Sequence, residues 1–360
     1  MSFIFKNFLS LLNIIYLNIL ILIKKNFFKK KIVIFYYPKE KLVINNISII
    51  YNYFLKESNY FVFYGSTIRI KKKNFFLIKQ TYLKFLFNIF LFLSNNVCDK
   101  FSVNSKKIYI HHDIYDTPLV EKKKEKALRK SLLKYDSIVV ASEKSSEIFK
   151  ILFMKIKKKP KIIVFKYLKI DFLKRKLEKK KSRRDYILIA PTNFYSFPKF
   201  TIQKYLFELI DKLLKKNHKI IYRPHPSNFK DKSIKYLKSN FLLNKNFIFD
   251  DNPDYFQSYN KANFLISDIS GTAYTYAITS GRPVIFFNND KYLKKFNYDK
   301  LNYFMDREKV GWKFDNVHKI ISFLNKSQKF EKKKLLSIKK FQNNFFNEKK
   351  FDLNYLLKND

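Results

Sequence analysis

The stretch from Phe264 to Asn289, FLISDISGTAYTYAITSGRPVIFFNN, constrains the fold more than any other part of the chain. It reads as strand, tight turn, helix, turn, strand. The apolar run Phe264–Ile266 ends in Ser267 and Asp268. Ser270-Gly271-Thr272 opens a helical pattern over 272–280, and Gly281 stands where a helix C-terminal glycine belongs. Pro283 to Phe287 then has the continuous apolar character of a buried strand. The chain has only 4 Gly in 360 residues, and two of them flank this helix. A small-residue turn that feeds a helix N-terminus presents unpaired N–H groups and the positive end of the helix dipole. That combination suits a phosphate, although a plain helix cap accounts for the same residues.

The same alternation runs through the rest of the chain and predicts an α/β protein. Strands are expected at 32–36, 60–64, 107–110, 137–141 and 162–165. Helices are expected at 42–55, 82–93, 121–134 and 145–153. After the basic run 174–184, strands at 186–190, 219–222 and 247–249 alternate with helices at 201–216 and near 255–261. Helices are also expected at 316–325 and 332–347. The length fits two domains, placed at 31–173 and 185–360 with 174–184 as the linker.

The first 30 residues form a separate segment. Phe3 to Ile23 is long and apolar enough to span a bilayer. However, Lys6, Asn7, Ser10, Asn13, Asn18, Lys24 and Lys25 fall within an arc of roughly 140° on a helical wheel. A single polar stripe fits an amphipathic helix in a membrane interface or on a protein core better than a span.

The formal charge is +45, with 74 Lys+Arg against 29 Asp+Glu. Lys, Ile, Asn, Phe and Tyr are abundant together, a joint bias that suits AT-rich coding. The charge is spread along the chain and accompanies no RNA- or DNA-binding motif, so nucleic acid is not the expected partner. A general pull towards anionic surfaces remains. The single Cys98 excludes an intramolecular disulfide and a cysteine-bound zinc within one chain. None of the five His has the spacing of a helical metal site, and no metal ligand set is expected.

Four segments that follow strands carry residues able to do chemistry. In open parallel sheets, ligands bind beyond the carboxyl ends of strands. Arg223-Pro224-His225-Pro226 fixes one His between two prolines, and its Arg presents a fork suited to phosphate oxygens. Pro191-Thr192-Asn193 and the turn Ser267 to Thr272 stand in equivalent positions. Asp268 has two readings, orienting a ligand or capping the helix that follows. His111 and His112 are consecutive and so point to different sides of an extended backbone, which leaves either one as a general base.

These residues together resemble the CDP-glycerol glycerophosphotransferase family, the polymerases and primases of teichoic-acid-like polymers. Ala190-Pro191-Thr192 matches its A-P-T, Arg223 to Pro226 its R-P-H-P, and Ser267 to Gly271 its S/T-D-Y-S-S turn. Pro283 to Phe286 matches the strand that follows. The match is looser in the first half. The family's His-Gly-Thr-Pro-Leu segment corresponds here to His112, with Asp113-Ile114-Tyr115-Asp116 before Thr117-Pro118-Leu119 and no Gly. Thr275 stands where the family has an acidic residue.

The resemblance implies a GT-B-like fold, with two Rossmann-like domains facing a central cleft. It implies an N-terminal acceptor side, a C-terminal donor side and a C-terminal helix packed back on the first domain. It further implies transfer of glycerol phosphate, or a related polyol phosphate, from a CDP-activated donor to a hydroxyl of a lipid-linked saccharide or polymer. The enzyme would work peripherally at the cytoplasmic face of the cell membrane. On this reading His112, with His111 as second choice, is the base. Thr192, Arg223, His225, Ser267, Asp268, Ser270, Gly271 and Thr272 bind the donor. No cofactor is expected beyond magnesium carried with the donor phosphates. The alternatives are a GT-B glycosyltransferase or sugar-nucleotide epimerase using a UDP- or GDP-sugar, a basic nucleic-acid-binding protein, and an inactive relative.

Overall fold

The computed structural model describes residues 3–37, 46–98, 100–101, 104–115, 122–179, 183–295, 297–326 and 332–358. Two compact units divide the chain. One holds Met1–His112, Glu121–Lys169 and Lys349–Asp360, and the other Asp113–Val120 and Ile170–Glu348.

The first unit is built on a parallel sheet of seven described strands. They are β1 (Lys31–Tyr36), β2 (Tyr60–Ser66), β3 (Phe75–Leu77), β4 (Leu91–Ser94), β5 (Lys106–Ile110), β6 (Ser137–Val140) and β7 (Lys161–Val164). Their order is β3-β2-β1-β4-β5-β6-β7, every neighbouring pair parallel. β4 and β6 are buried along their whole length, as strands must be when helices cover both faces of a sheet. The C-terminal helix Leu353–Lys358 belongs here, and its Leu356 sits fully buried in the core with Val33, Phe35, Leu93 and Ile110.

The second unit has β8 (Tyr186–Ile189), β9 (Lys219–Tyr222), β10 (Phe247–Phe249), β11 (Ala262–Ser267), β12 (Val284–Phe287) and β13 (Gly311–Phe314). The order β10-β9-β8-β11-β12-β13 is again wholly parallel. This is the doubly wound dinucleotide-binding order, whose switch point falls between the first strand and the fourth, here β8 and β11. The helix over Thr272–Ser280 follows β11, and Gly281 closes it with φ +68°, a left-handed cap that a Cβ would strain. The fold is thus GT-B-like α/β with two parallel sheets.

Some expectations need correction. Residues 82–93 are not one helix: Gln80–Phe85 is a short 3-10 turn and Leu91–Ser94 is β4. Asn88 takes φ +55° between them and turns the chain. A buried strand and a buried helix share the same apolar run, so periodicity did not separate them. The edge strands β3 and β13 were not expected. The units part between Lys169 and Ile170, and the helix Leu168–Lys179 takes up the first half of the run expected as a linker.

The N-terminal helix Phe3–Asn26 packs on the first unit through Ile14, Leu17 and Ile21, and its polar stripe lies on the same side. Asn13 Nδ2 donates to Leu77 O at 2.7 Å and Asn18 Nδ2 to Phe85 O at 2.9 Å.

Candidate active site

At the switch point of the second sheet, the ends of β8 and β11 are tied together. Ser267 Oγ donates to Ala190 O at 2.7 Å, joining the last residue of β11 to the residue after β8. The fully buried Asp268 follows. One carboxylate oxygen accepts from Thr192 N at 2.8 Å and Ile269 N at 2.8 Å, and the other from Ile202 N at 3.1 Å. Burial pushes the Asp268 carboxyl above the ordinary range, against the pull of these N–H groups and the Thr201 hydroxyl. Asp268 therefore neither caps the helix nor reaches out to a ligand. It sets the positions of the loops around the turn.

Beyond it, Ser270-Gly271-Thr272 forms the start of the helix. Ser270 Oγ accepts from Thr272 N at 3.4 Å, and Thr272 Oγ1 is paired with the Tyr259 hydroxyl at 2.6 Å. Among the described residues, the N–H groups of Ser270 and Gly271 make no hydrogen bond. Gly271 is also the point of closest approach of Asp113, whose carboxyl atoms lie 3.0–3.2 Å from where a Cβ would stand. A carboxylate thus lies beside the helix N-terminus, which the dipole favours. Burial, and after it neighbouring negative groups that include Asp113, push the Tyr255 and Tyr259 hydroxyls up, so both stay protonated near neutrality.

Arg223 sits deeper than its motif suggests. Nη1 donates to Asp250 Oδ2 at 2.7 Å and Nη2 to Asn252 O at 2.8 Å, with the arginine and aspartate side chains only 11% and 6% exposed. Burial alone would raise the Asp250 carboxyl, but the Arg223 charge and hydrogen bonds from Ser258, Arg223 and Asn252 hold it below the usual range. Arg223 therefore stiffens the loop with part of its fork. His225 Nδ1 accepts from Ser227 N at 3.2 Å, which puts the imidazole proton on Nε2. Asn228 Nδ2 donates to Asn193 Oδ1 at 3.2 Å and so joins this loop to the one after β8. The loops carrying Thr192, Arg223 with His225, and Ser267 to Thr272 are accordingly one connected set.

The two histidines belong to the first unit, just after β5. His111 is buried, its ring edge-on to Phe149 at 5.1 Å. His112 is exposed, with Nδ1 3.4 Å from the Tyr109 hydroxyl and its carbonyl accepting from Tyr167. Only His112 has an accessible imidazole. Thr117-Pro118-Leu119 lies outside the described residues.

Sequence reasoning passed over Asp113, Asp250 and Arg307. Arg307 is fully buried, with Nη2 donating to Asp268 O at 2.8 Å and Nη1 to Asn288 Oδ1 at 2.6 Å. Its guanidinium carbon lies 4.7 Å from the ring centroids of both Phe286 and Phe304. Asp250 could have been found, because it directly follows β10. Among the described residues no group of three or more His, Cys, Asp or Glu could hold a metal.

Residues 18–350 match the family model described as CDP-Glycerol:Poly(glycerophosphate) glycerophosphotransferase. The chain belongs to this family. Membership makes it a transferase of the glycerophosphate class. Among solved structures it is similar to the wall teichoic acid polymerase TagF, with TM-score 0.62 and 18% identity over 97% of this chain and 95% of that one. It is also similar to a putative UDP-N-acetylglucosamine 2-epimerase from Listeria monocytogenes, with TM-score 0.58 and 11% identity over 90% and 100%. S. aureus MnaA with UDP follows, with TM-score 0.53 and 12% identity over 84% and 99%. These likenesses establish the fold. No curated protein matches the chain.

Proposed function

We propose that the chain transfers glycerol phosphate from CDP-glycerol to a hydroxyl of a cell-surface polymer or its lipid-linked precursor. The unpaired N–H groups of Ser270 and Gly271, at the switch point of a nucleotide-type sheet in a member of this family, carry the proposal. They would hold the donor diphosphate with the Nε2–H of His225. His112 would take the proton of the acceptor hydroxyl. The acceptor oxygen then bonds to the phosphorus that carries glycerol. The bond from that phosphorus to the bridging oxygen breaks, and CMP leaves with the electron pair. Fixed N–H donors aimed at the charge developing on CMP lower the barrier without reorganising. Asp268, Ser267, Arg223 and Thr192 keep this set in register. Magnesium enters this reading only as a counter-ion of the donor diphosphate.

TagF has been solved after soaking with CDPG, in a structure 17% identical to this chain with TM-score 0.61. That supports a cytidine donor here. A second reading keeps the fold and changes the nucleotide. Thr275 is buried and its hydroxyl is turned onto Gly271 O at 3.2 Å, so the family's acidic contact at this position has no counterpart. The epimerase-like neighbours favour testing UDP- and GDP-sugars alongside CDP-polyols. In this reading the acceptor is membrane-bound, and the chain works as a peripheral protein at the cytoplasmic face. Release of CMP from CDP-glycerol with membranes as acceptor tests the proposal, and release of UDP or GDP alone would replace it.

A further inference from the structure

The second sheet has a cavity at the edge away from the candidate active site. The Ser270 turn stands beyond the carboxyl end of β11, whereas a cavity of about 400 Å³ opens where β8, β9 and β11 begin. The six residues of β11, at roughly 3.3 Å each, separate the two. Asn217, in the left-handed region at φ +60°, turns the chain from helix Leu206–Lys215 into β9. The pairing of Tyr186 with Lys219 then sets the first residues of β8 and β9 side by side at the cavity.

Among the lining residues, Arg183, Arg184 and Lys219 face one carboxylate, that of Asp185. Lys219 Nζ at 2.6 Å and Arg183 Nε at 3.6 Å already take up Asp185 Oδ2. Arg184 is half-buried, and among the described residues its one hydrogen bond runs from Nη1 to Ser280 O at 3.4 Å. Ser280 ends the helix Thr272–Ser280, whose dipole favours a cation there. Burial, and after it the charge of Arg282, push the Arg184 guanidinium below its ordinary value. A half-buried guanidinium near a like charge, with most of its N–H donors unspent, calls for an anion.

Tyr186, His218 and Asn263 line the same cavity. Among the described residues, the Tyr186 hydroxyl, the His218 ring and the Asn263 amide make no hydrogen bond, so each is available to a ligand. Lys219 Nζ and Lys261 Nζ lie 5.7 Å and 5.9 Å from the centre of the Tyr186 ring, which adds positive charge at the mouth. A cavity of about 400 Å³ falls in the range of organic ligand sites, roughly 300–1,000 Å³.

We propose that this cavity binds a phosphate-bearing small molecule of nucleotide size, with Arg184 and His218 on the phosphate and Tyr186 and Asn263 against the organic body. The site is separate from the donor site and shares none of its residues. A nucleoside phosphate and a sugar or polyol phosphate present the same phosphate chemistry and differ in the body that Tyr186 and Asn263 would meet.

Titration calorimetry on the purified full chain carrying His225→Ala, which weakens the donor site, tests this. The probes are CMP and glycerol 3-phosphate, with cytidine as the control that lacks phosphate. At least one of the two phosphates should bind and cytidine should not. Tighter binding of CMP assigns a nucleotide, and tighter binding of glycerol 3-phosphate a polyol or sugar phosphate. Adding Arg184→Gln should weaken that binding by about tenfold or more, since a charge-assisted fork is lost. Circular dichroism checks that this variant folds. His218→Ala, on a half-exposed turn, should weaken binding by about threefold and decides the matter if Arg184→Gln does not fold. The proposal is overturned if neither phosphate binds, if binding is undiminished by these substitutions, or if cytidine binds as tightly as CMP. Nucleotide release from CDP-glycerol is measured separately on the chain with His225 intact, so failure of the transferase reading and failure of this site are distinguishable.

Discussion

The carboxylate of Asp113 lies against Gly271, 3.0–3.2 Å from the position a Cβ would take at the N-terminal end of helix Thr272–Ser280. The anion-favouring end of the helix therefore has a negative group of the chain's own beside it. A donor phosphate arriving at the N–H groups of Ser270 and Gly271 meets like charge. Asp113→Asn should tighten donor or CDP binding by about tenfold, roughly 1.4 kcal/mol, measured by titration calorimetry. Unchanged or weaker binding would place the donor elsewhere.

Gly271→Ala should cost about 1–3 kcal/mol in urea unfolding, because the new methyl meets the Asp113 carboxyl. Combining it with Asp113→Ala should recover part of that loss, since contacting residues are not additive. Simple additivity in the double-mutant cycle would show that the two side chains do not meet.

Asp268→Ala leaves the N–H groups of Thr192, Ile202 and Ile269 without their acceptor. The expected loss is about 3–5 kcal/mol, at the high end for single substitutions. Asp268→Asn should be milder, because it keeps one acceptor oxygen. Equal effects from the two would mean that packing, not hydrogen bonding, sets the cost.

Arg307→Met removes the donors to Asp268 O and Asn288 Oδ1 but retains the apolar stem between aromatic rings. Stability should fall by about 2–4 kcal/mol. Donor KM should rise more than kcat falls, because the turn that holds the phosphate loses its support from behind. A purely structural role would lower active enzyme concentration and leave KM unchanged.

The strand-turn-helix-strand unit was legible because its signals are local, with one period for the strand, another for the helix and Gly281 at the cap. The role of Asp268 was not, because Thr192 and Ile202 lie 76 and 66 residues away in sequence. Arg307 was hidden among 74 Lys+Arg, and nothing local separates a buried guanidinium from a solvated one. Arg223 was legible as a functional position, but its partners Asp250 and Asn252 appear only once β9 and β10 are paired. At the N-terminal helix, periodicity gave two faces and could not say which met the protein.

The Arg223–Asp250 pair gives a pH dependence with a definite sign. The folded-state carboxyl of Asp250 is held below its ordinary value, about 3.9 in the unfolded chain. Its contribution to stability is therefore complete above about pH 4 and is lost as pH falls through the lower folded value. Asp250→Asn should flatten acid unfolding in that window and lower stability at neutral pH by leaving Arg223 buried without its counter-charge. Identical acid unfolding curves for the two proteins would contradict the pairing.

The most direct test is nucleotide release from CDP-glycerol, CDP-ribitol, UDP-sugars and GDP-sugars, with membranes supplying the acceptor. The account predicts CMP from the CDP-polyols alone, with turnover falling by at least about a hundredfold in folded His112→Ala, as expected for loss of a general base. His225→Ala should also release far less CMP. UDP or GDP release without CMP, or CMP release undiminished by either substitution, would contradict it.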